Sequence, residues 1–342
     1  MNIAMTARAC NAAPEFWTGD ALACLELVPS NSVDCVVTSP PYWGLRDYGV
    51  AGQIGVEPTM ALYLSTMVAV CREVRRVLKP AGAFWLNVGD SYAANRGGTT
   101  PPAETLAGGR NGHGDDDSHR GRKDGYNPSR DPKGHGLKHK DLMMIPNRLA
   151  IALQDDGWWV RSEIIWHKPN PMPESVTDRP TSAHEKVWLL TKGELYFYDA
   201  AAIKESSSEV SIARVSQANF VNQTGGDKDY RNGVNASRSM RKTLENFAKD
   251  PSTRNARNVW TIPPATFRGA HFATFPPALV ERCIKAGCPL GGLVLDPFGG
   301  AGTTGMVADR LGRRSLNFEI NPEYVALAQA RIAADRAARG VA

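Results

Sequence analysis

Two short stretches hold the residues best suited to chemistry. The first, Thr38-Ser39-Pro40-Pro41-Tyr42-Trp43, follows an apolar run at 33–37 that predicts a short buried strand. Two consecutive prolines stop the strand, remove two backbone donors and stiffen the turn. A rigid loop with one hydroxyl and two large aromatics suits a flat polar ring held between fixed surfaces. An ordinary proline-rich turn would carry the same residues.

The second stretch is Asp296-Pro297-Phe298-Gly299-Gly300-Ala301-Gly302-Thr303-Thr304-Gly305, which follows the apolar strand Leu293-Val294-Leu295. It holds G-x-G-x-x-G (Gly300, Gly302, Gly305) between a strand and a helix, where missing β-carbons let backbone amides approach a ligand. No Lys follows the glycines, which argues against a phosphate-cradling P-loop. About twenty residues on, the strand 315–318 ends at Glu319, an acid placed to accept from ribose hydroxyls. Asp296, within the turn, disfavours a pyrophosphate neighbour and favours a ligand bearing a positive charge or an amino group. S-adenosyl-L-methionine has both; a nicotinamide cofactor would use the glycines without needing Asp296. Asp296 as a plain helix cap is the competing reading.

The elements around these stretches predict an α/β fold with a doubly wound, mostly parallel sheet. A short strand at 15–17 leads through Gly19-Asp20 to a helix at 21–27. An amphipathic helix at 60–78 is stopped by Lys79-Pro80-Ala81-Gly82, and a strand follows at 83–88. Further on come a helix at 146–153, a strand at 158–166 and a strand at 185–191 that hairpins through Lys192-Gly193 to 195–198. Periodicity is lost at 95–140, rich in Gly, Asp, Arg, Lys and His, and at 200–257, rich in Ser, Asn, Lys and Arg. The first fits a mobile basic loop. The second fits a polar surface excursion or an insert that contacts phosphates and base edges.

Composition bounds the rest. The 342 residues, 42% hydrophobic, are enough for one large domain with an appended lobe. A net charge of +5 is compatible with a polyanion partner. No apolar run reaches membrane-spanning length and the start lacks a secretory signature, so a cytoplasmic protein without membrane contact is expected. The six cysteines include no C-x-x-C pair, which predicts reduced thiols and no metal site.

Together, TSPPYW and DPFGGAGTTG resemble the β-group DNA amino-methyltransferases, which use S-adenosyl-L-methionine to methylate adenine N6 or cytosine N4. The likeness covers most of the chain, including Gly19-Asp20, the run 76–82, the segment 165–170 and His271-Phe272-Ala273-Thr274-Phe275-Pro276. It implies a circularly permuted sheet in which the strands before Ser39 and Asp296 are neighbours. The catalytic half would lie in 1–94, the loop in 95–140, more of the sheet in 141–199, target recognition in 200–257 and the cofactor-binding half in 258–342. By the same likeness Ser39, Pro40, Pro41 and Tyr42 are catalytic, with Tyr42 stacking on a base flipped out of double-stranded DNA. Asp20, Asp296, Pro297, Phe298, Gly300, Gly302, Thr303, Glu319, His271 and Phe275 would hold the cofactor, and Trp43, Trp166 and Lys168 would border base or DNA. Family habit also allows a homodimer and a cognate restriction endonuclease, in a bacterial or phage-encoded protein acting on the nucleoid. Ser39 is frequent among cytosine-N4 members and compatible with adenine, so the base stays open. An RNA or protein amide methyltransferase, a nicotinamide oxidoreductase and a non-catalytic DNA-binding protein are the other readings.

Overall fold

Helix α2 (Met60–Val77) illustrates how the sequence builds this molecule: Met60, Tyr63, Met67, Val70, Cys71, Val74 and Val77 fall on one face and are buried. Thr59 caps its start by accepting from Leu62 N. The computed structural model describes residues 13–45, 49–93, 136–215, 250–265 and 275–341. The expected loop at 95–140, apart from 136–140, lies outside these residues, as does His271.

In chain order the other elements before the polar insert are β1 (Glu15–Thr18), α1 (Ala21–Glu26), β2 (Val33–Thr38), β3 (Leu78–Val88), α3 (Ile145–Asp155), β4 (Trp159–His167) and β5 (His184–Thr191). There follow β6 (Glu205–Ser206), α4 (Glu209–Val215), β7 (Thr253–Arg254), β8 (Val259–Thr261), α5 (Pro277–Gly287), β9 (Leu293–Asp296), α6 (Thr303–Arg310), β10 (Arg314–Glu319) and α7 (Pro322–Ala338).

Eight strands form one sheet in the order β1-β10-β9-β2-β3-β5-β4-β8. All neighbours pair in parallel except at β5, which runs against both β3 and β4. The sheet is thus mostly parallel, as its near-continuous apolar strands predict. From β2 the chain winds outward through α2 to β3, and from β9 it winds the other way through α6 to β10. The β2/β9 junction is therefore the switch point where an open α/β sheet takes its ligand. β1 pairs with β10, so the first strand of the chain sits on the same side of that junction as the last.

Two details differ from expectation. β3 starts at Leu78, directly after α2, and its register against β2 shifts between Val33 and Cys35. The segment 195–198 forms no strand. Phe197 N donates to Ala81 O at 2.8 Å, but Pro80 beside it lacks the donor a continuing ladder needs.

The chain divides into two compact units, Met1–Tyr198 with Asn258–Ala342, and Asp199–Arg257. In the second unit β6 and β7 pair antiparallel, and Glu205 takes both Arg254 and Arg257. Cys24, Cys35, Cys71, Cys283 and Cys288 are buried free thiols. Among the described residues no helix is long and apolar enough to cross a membrane, and no His, Cys, Asp and Glu cluster is placed to hold a metal.

Candidate active site

The two chemical stretches meet at the β2/β9 junction although 258 residues separate Thr38 from Asp296. Thr38 Oγ1 donates to Asp296 Oδ1 at 2.6 Å, Thr304 Oγ1 donates to Asp296 Oδ2 at 2.6 Å, and Phe298 N donates to Oδ1 at 3.0 Å. Asp296 is 0% exposed. Burial pushes its carboxyl up to about 6, against the opposing pull of the Thr304, Thr38 and Phe298 donors. The expectation that Asp296 faces a cationic ligand is corrected here: its two oxygens are turned inward, fastening the end of β2 to the turn after β9.

The proline loop leaves β2 at Ser39. Pro41's carbonyl accepts from Tyr63 Oη at 3.0 Å, which anchors the loop to α2, while Pro40's carbonyl takes no donor among the described residues. Tyr42 lies against Gly89, where a Cβ would come within 2.5 Å of the ring's Cε2. Its hydroxyl donates to Glu185 Oε2 at 2.6 Å and accepts from Asn87 Nδ2 at 2.7 Å and from Ser39 Oγ at 3.3 Å. Asn87 Nδ2 also lies 2.8 Å from Glu185 Oε2 and 3.3 Å from Ser39 Oγ, whereas its buried Oδ1 has no partner among the described residues. Burial, followed by the Glu185 charge, holds the Tyr42 hydroxyl well above the usual phenol range.

Asn87 and Glu185 are absent from the sequence expectations. Asn87 gave a local signal, as the one amide in the apolar run Ala83-Phe84-Trp85-Leu86-Asn87-Val88. Glu185 gave none, because it meets Tyr42 only through the antiparallel return of β5 beside β3.

Three residues expected at base or DNA have other tasks. Trp43 is 1% exposed, stacks on Tyr63 and donates from Nε1 to Glu57 O at 2.9 Å. Trp166 is 4% exposed and donates to Ile262 O at 2.8 Å. Both are core residues, because a large apolar ring with its one N–H satisfied is at its most favourable inside. Lys168 pairs with Glu185 Oε1 and places its Nζ 4.5 Å above the Trp166 ring. It belongs to the network behind Tyr42.

At the cofactor side, Glu319 Oε2 accepts from Gly300 N and Oε1 from Asn321 N, both at 2.9 Å. Burial raises its carboxyl, and the neighbouring Asp296 raises it further. Each oxygen keeps a lone pair free. Asp20 caps α1 through Oδ1, which accepts from Leu22 N and Ala23 N, and its Oδ2 has no donor among the described residues. Gly19 N donates to Glu319 O, so the ends of β1 and β10 adjoin. Phe298 is half-buried against the core, Pro297 is buried, and Phe275 stands half-buried just before α5.

At Gly302 the missing β-carbon serves the packing of the protein. A Cβ at Gly302, which has φ +74°, would meet Ala328 Cβ at 2.8 Å and Phe16 Cζ at 3.1 Å, so the tight approach is to the protein itself. Thr303 also points inward, 2% exposed, accepting from Arg331 at 3.0 Å. What remains for a ligand is a spare carboxylate oxygen at Asp20, spare lone pairs at Glu319 and the open part of the Phe298 ring. These fit an adenosine: acceptors for an amino group and ribose hydroxyls, and an apolar surface for a flat ring. The neighbouring acids suit a ligand with a net positive charge.

An open parallel sheet with an acid-bearing glycine turn and a stiff Ser-Pro-Pro-Tyr loop at its switch point defines a methyltransferase-type α/β protein. Solved structures share the fold. The PvuII DNA methyltransferase (cytosine-N4-specific) superposes with a TM-score of 0.58 at 20% identity, over 95% of this chain and 92% of that one. The putative DNA modification methylase TTHA0409 of Thermus thermophilus, complexed with S-adenosyl-L-methionine, gives 0.54 at 23% identity, over 94% of both chains. The chain matches the N6/N4 methyltransferase family described as DNA methylase over residues 33–330. It is 43% identical over 314 residues to the type II methyltransferase M.SmaI of Serratia marcescens, covering 92% of this chain and 89% of that one. It is 44% identical over 315 residues to M.XycI of Xanthomonas campestris pv. cyanopsidis, covering 92% and 86%. The chain belongs to the N6/N4 DNA methylase family.

Proposed function

We propose that this protein is a type II, site-specific DNA methyltransferase that methylates an exocyclic amino group, cytosine N4 or adenine N6, of a base turned out of the duplex. The observation that carries the reading is the Thr38–Asp296 hydrogen bond of 2.6 Å. It supports a single crevice at the sheet's switch point shared by the Ser39 loop and the cofactor turn.

When bound, S-adenosyl-L-methionine supplies an electrophilic methyl group. Asp20 would take the adenine amino group, Glu319 the ribose hydroxyls and Phe298 the ring face. The protein's own work is placement. An exocyclic amino nitrogen shares its lone pair with the aromatic ring and is a weak nucleophile. Ser39 Oγ and Pro40 O are acceptors for its two hydrogens, which favours a pyramidal nitrogen with its lone pair aimed at the methyl group. With Trp43 and Trp166 buried, base stacking falls to Tyr42, held by Gly89 and the Asn87–Glu185 pair. Cytosine and adenine offer the same pair of amino hydrogens, so these acceptors serve both. The relatives' type II naming supports a role in restriction-modification, with a cognate endonuclease as companion.

The test is to incubate the protein with duplex DNA and methyl-labelled S-adenosyl-L-methionine and to map modified bases at nucleotide resolution. Label on one base type within a fixed sequence is the expected result. Label on RNA or protein acceptors alone would replace the reading, and NAD binding without methyl transfer would end it.

A further inference from the structure

The chemistry proposed above leaves a proton to be disposed of. A neutral amino nitrogen that forms a fourth bond becomes cationic and must lose a hydrogen. Ser39, the hydroxyl proposed above to hold that nitrogen, is the first member of an ordered hydrogen-bonded chain. Ser39 Oγ lies 3.3 Å from Tyr42 Oη, and Tyr42 Oη lies 2.6 Å from Glu185 Oε2.

The polarity of the chain is fixed by its neighbour. Asn87 Nδ2 is a donor only, and it sits 2.7 Å from Tyr42 Oη and 2.8 Å from Glu185 Oε2. With Asn87 and Ser39 both donating to it, the one hydrogen of Tyr42 points at Glu185. The Ser39 hydrogen in turn points at Tyr42 and one Ser39 lone pair faces Asn87 Nδ2, which leaves the other lone pair for the substrate. Lys168 pairs with the other Glu185 oxygen and holds the carboxylate in place.

We propose that Ser39, Tyr42 and Glu185 form a proton relay in which Glu185 is the terminal acceptor, Lys168 holds its other oxygen and Asn87 keeps the links in line. The inference rests on the amino-methyl transfer proposed above. The amino nitrogen's lone pair forms the new N–CH3 bond as the S–CH3 bond breaks, its electron pair staying on sulfur. The nitrogen then gives one hydrogen to Ser39 Oγ while Ser39 passes its own to Tyr42 Oη and Tyr42 passes its own to Glu185 Oε2. One positive charge is lost at sulfur and one proton is gained by Glu185, which releases it to solvent after product leaves. Neither hydroxyl becomes a free anion, in keeping with a Tyr42 that holds its proton tightly. Glu185 accepts the proton through Tyr42 and Lys168 is a positioning residue acting through Glu185, whereas Ser39 touches the substrate.

A carboxylate that only anchored Tyr42 would make the same contacts, so the test must separate the two roles. Single-turnover methyl transfer on duplex DNA should be measured for the wild-type protein, Glu185→Gln, Glu185→Asp, Tyr42→Phe and the Tyr42→Phe/Glu185→Gln pair, with cofactor affinity determined in parallel. Gln keeps the length and a hydrogen-bond acceptor but takes no proton; Asp is shorter but takes one. The relay predicts that Gln loses ~100-fold or more in rate, the lower range for lost proton transfer, with cofactor affinity unchanged. Asp should exceed Gln, and the double variant should be no slower than the slower single one. An infrared difference spectrum taken on turnover should show a protonated-carboxyl band that Glu185→Gln lacks. Gln matching or exceeding Asp, or a band that survives Glu185→Gln, would overturn the relay while leaving the transferase intact. No DNA methylation by the wild-type protein would instead defeat the reading on which it rests.

Discussion

Asp296 is the residue whose environment is most altered by the fold. Its carboxyl rises from an ordinary 3.8 to about 6, chiefly because burial disfavours the charge. The folded state therefore binds a proton that the unfolded state has already released between those values. Stability from this group is fully present below pH 3.8 and is lost as pH rises through about 6. The two-unit displacement corresponds to about 3 kcal/mol at ~1.4 kcal/mol per unit. Urea unfolding of the wild-type protein and Asp296→Asn at pH 4, 5, 6 and 7 should show the wild-type's standing relative to the variant falling by roughly that amount and levelling above pH 6. Parallel curves would mean the carboxylate is stabilised far better than its burial implies. The sequence marked Asp296 as chemically special but could not assign its task. A turn acid looks the same whether it meets a ligand or two threonine hydroxyls, and one of those hydroxyls, Thr38's, is 258 residues away. The same limit hid Glu185, whose partner Tyr42 is 143 residues distant. Ser39 and Tyr42 were legible because adjacent prolines make their rigidity a local property.

At the scale of elements, the strand and helix periods were readable because each depends on neighbours within a few residues. Their lateral order was not: parallel pairing of β2 with β9 and β1 with β10 joins opposite ends of the chain, and the family likeness implied only the first of these. The turn between β9 and α6 is where this order is most tightly expressed. Gly302 lies under Phe16 from β1 and Ala328 from α7, so three elements that are remote in sequence close on one atom position. Gly302→Ala forces a side chain into a left-handed backbone at φ +74° and into a 2.8 Å clash with Ala328 Cβ. A loss of about 2–4 kcal/mol is expected, combining ~1–2 kcal/mol of backbone strain with ~1–3 of overpacking. Denaturant unfolding measures it. Gly302→Ala/Ala328→Gly should recover the packing part and leave the backbone part. Full recovery in that pair would show the left-handed conformation to be free of strain, and none would show that β1 and α7 do not close here.

At the scale of the whole molecule, charge is unevenly spread along the chain. The stretch 95–140 carries nine Lys and Arg against six Asp and Glu, and 199–257 carries ten against seven, so these two excursions hold more than the entire net charge of +5. The remaining chain, which builds the sheet and the site, is close to neutral. An excess of cations confined to two stretches of sequence suits contact with a polyanion. If the excursions meet phosphates, duplex affinity should fall steeply with salt, its logarithm changing by about 0.9 per phosphate contact for each tenfold rise in salt. Arg238→Gln, Arg241→Gln and Lys242→Gln together should then make the slope shallower by ~1–3, according to how many of the three contribute. Cofactor affinity, proposed above to rest on residues of the other compact unit, should be unchanged. Filter binding across a salt series with a cognate and a scrambled duplex reads both quantities. An equal loss on the two duplexes assigns these cations to the phosphate backbone, and a loss confined to the cognate one assigns them to base readout. An unaltered slope would return 199–257 to the status of a solvated insert.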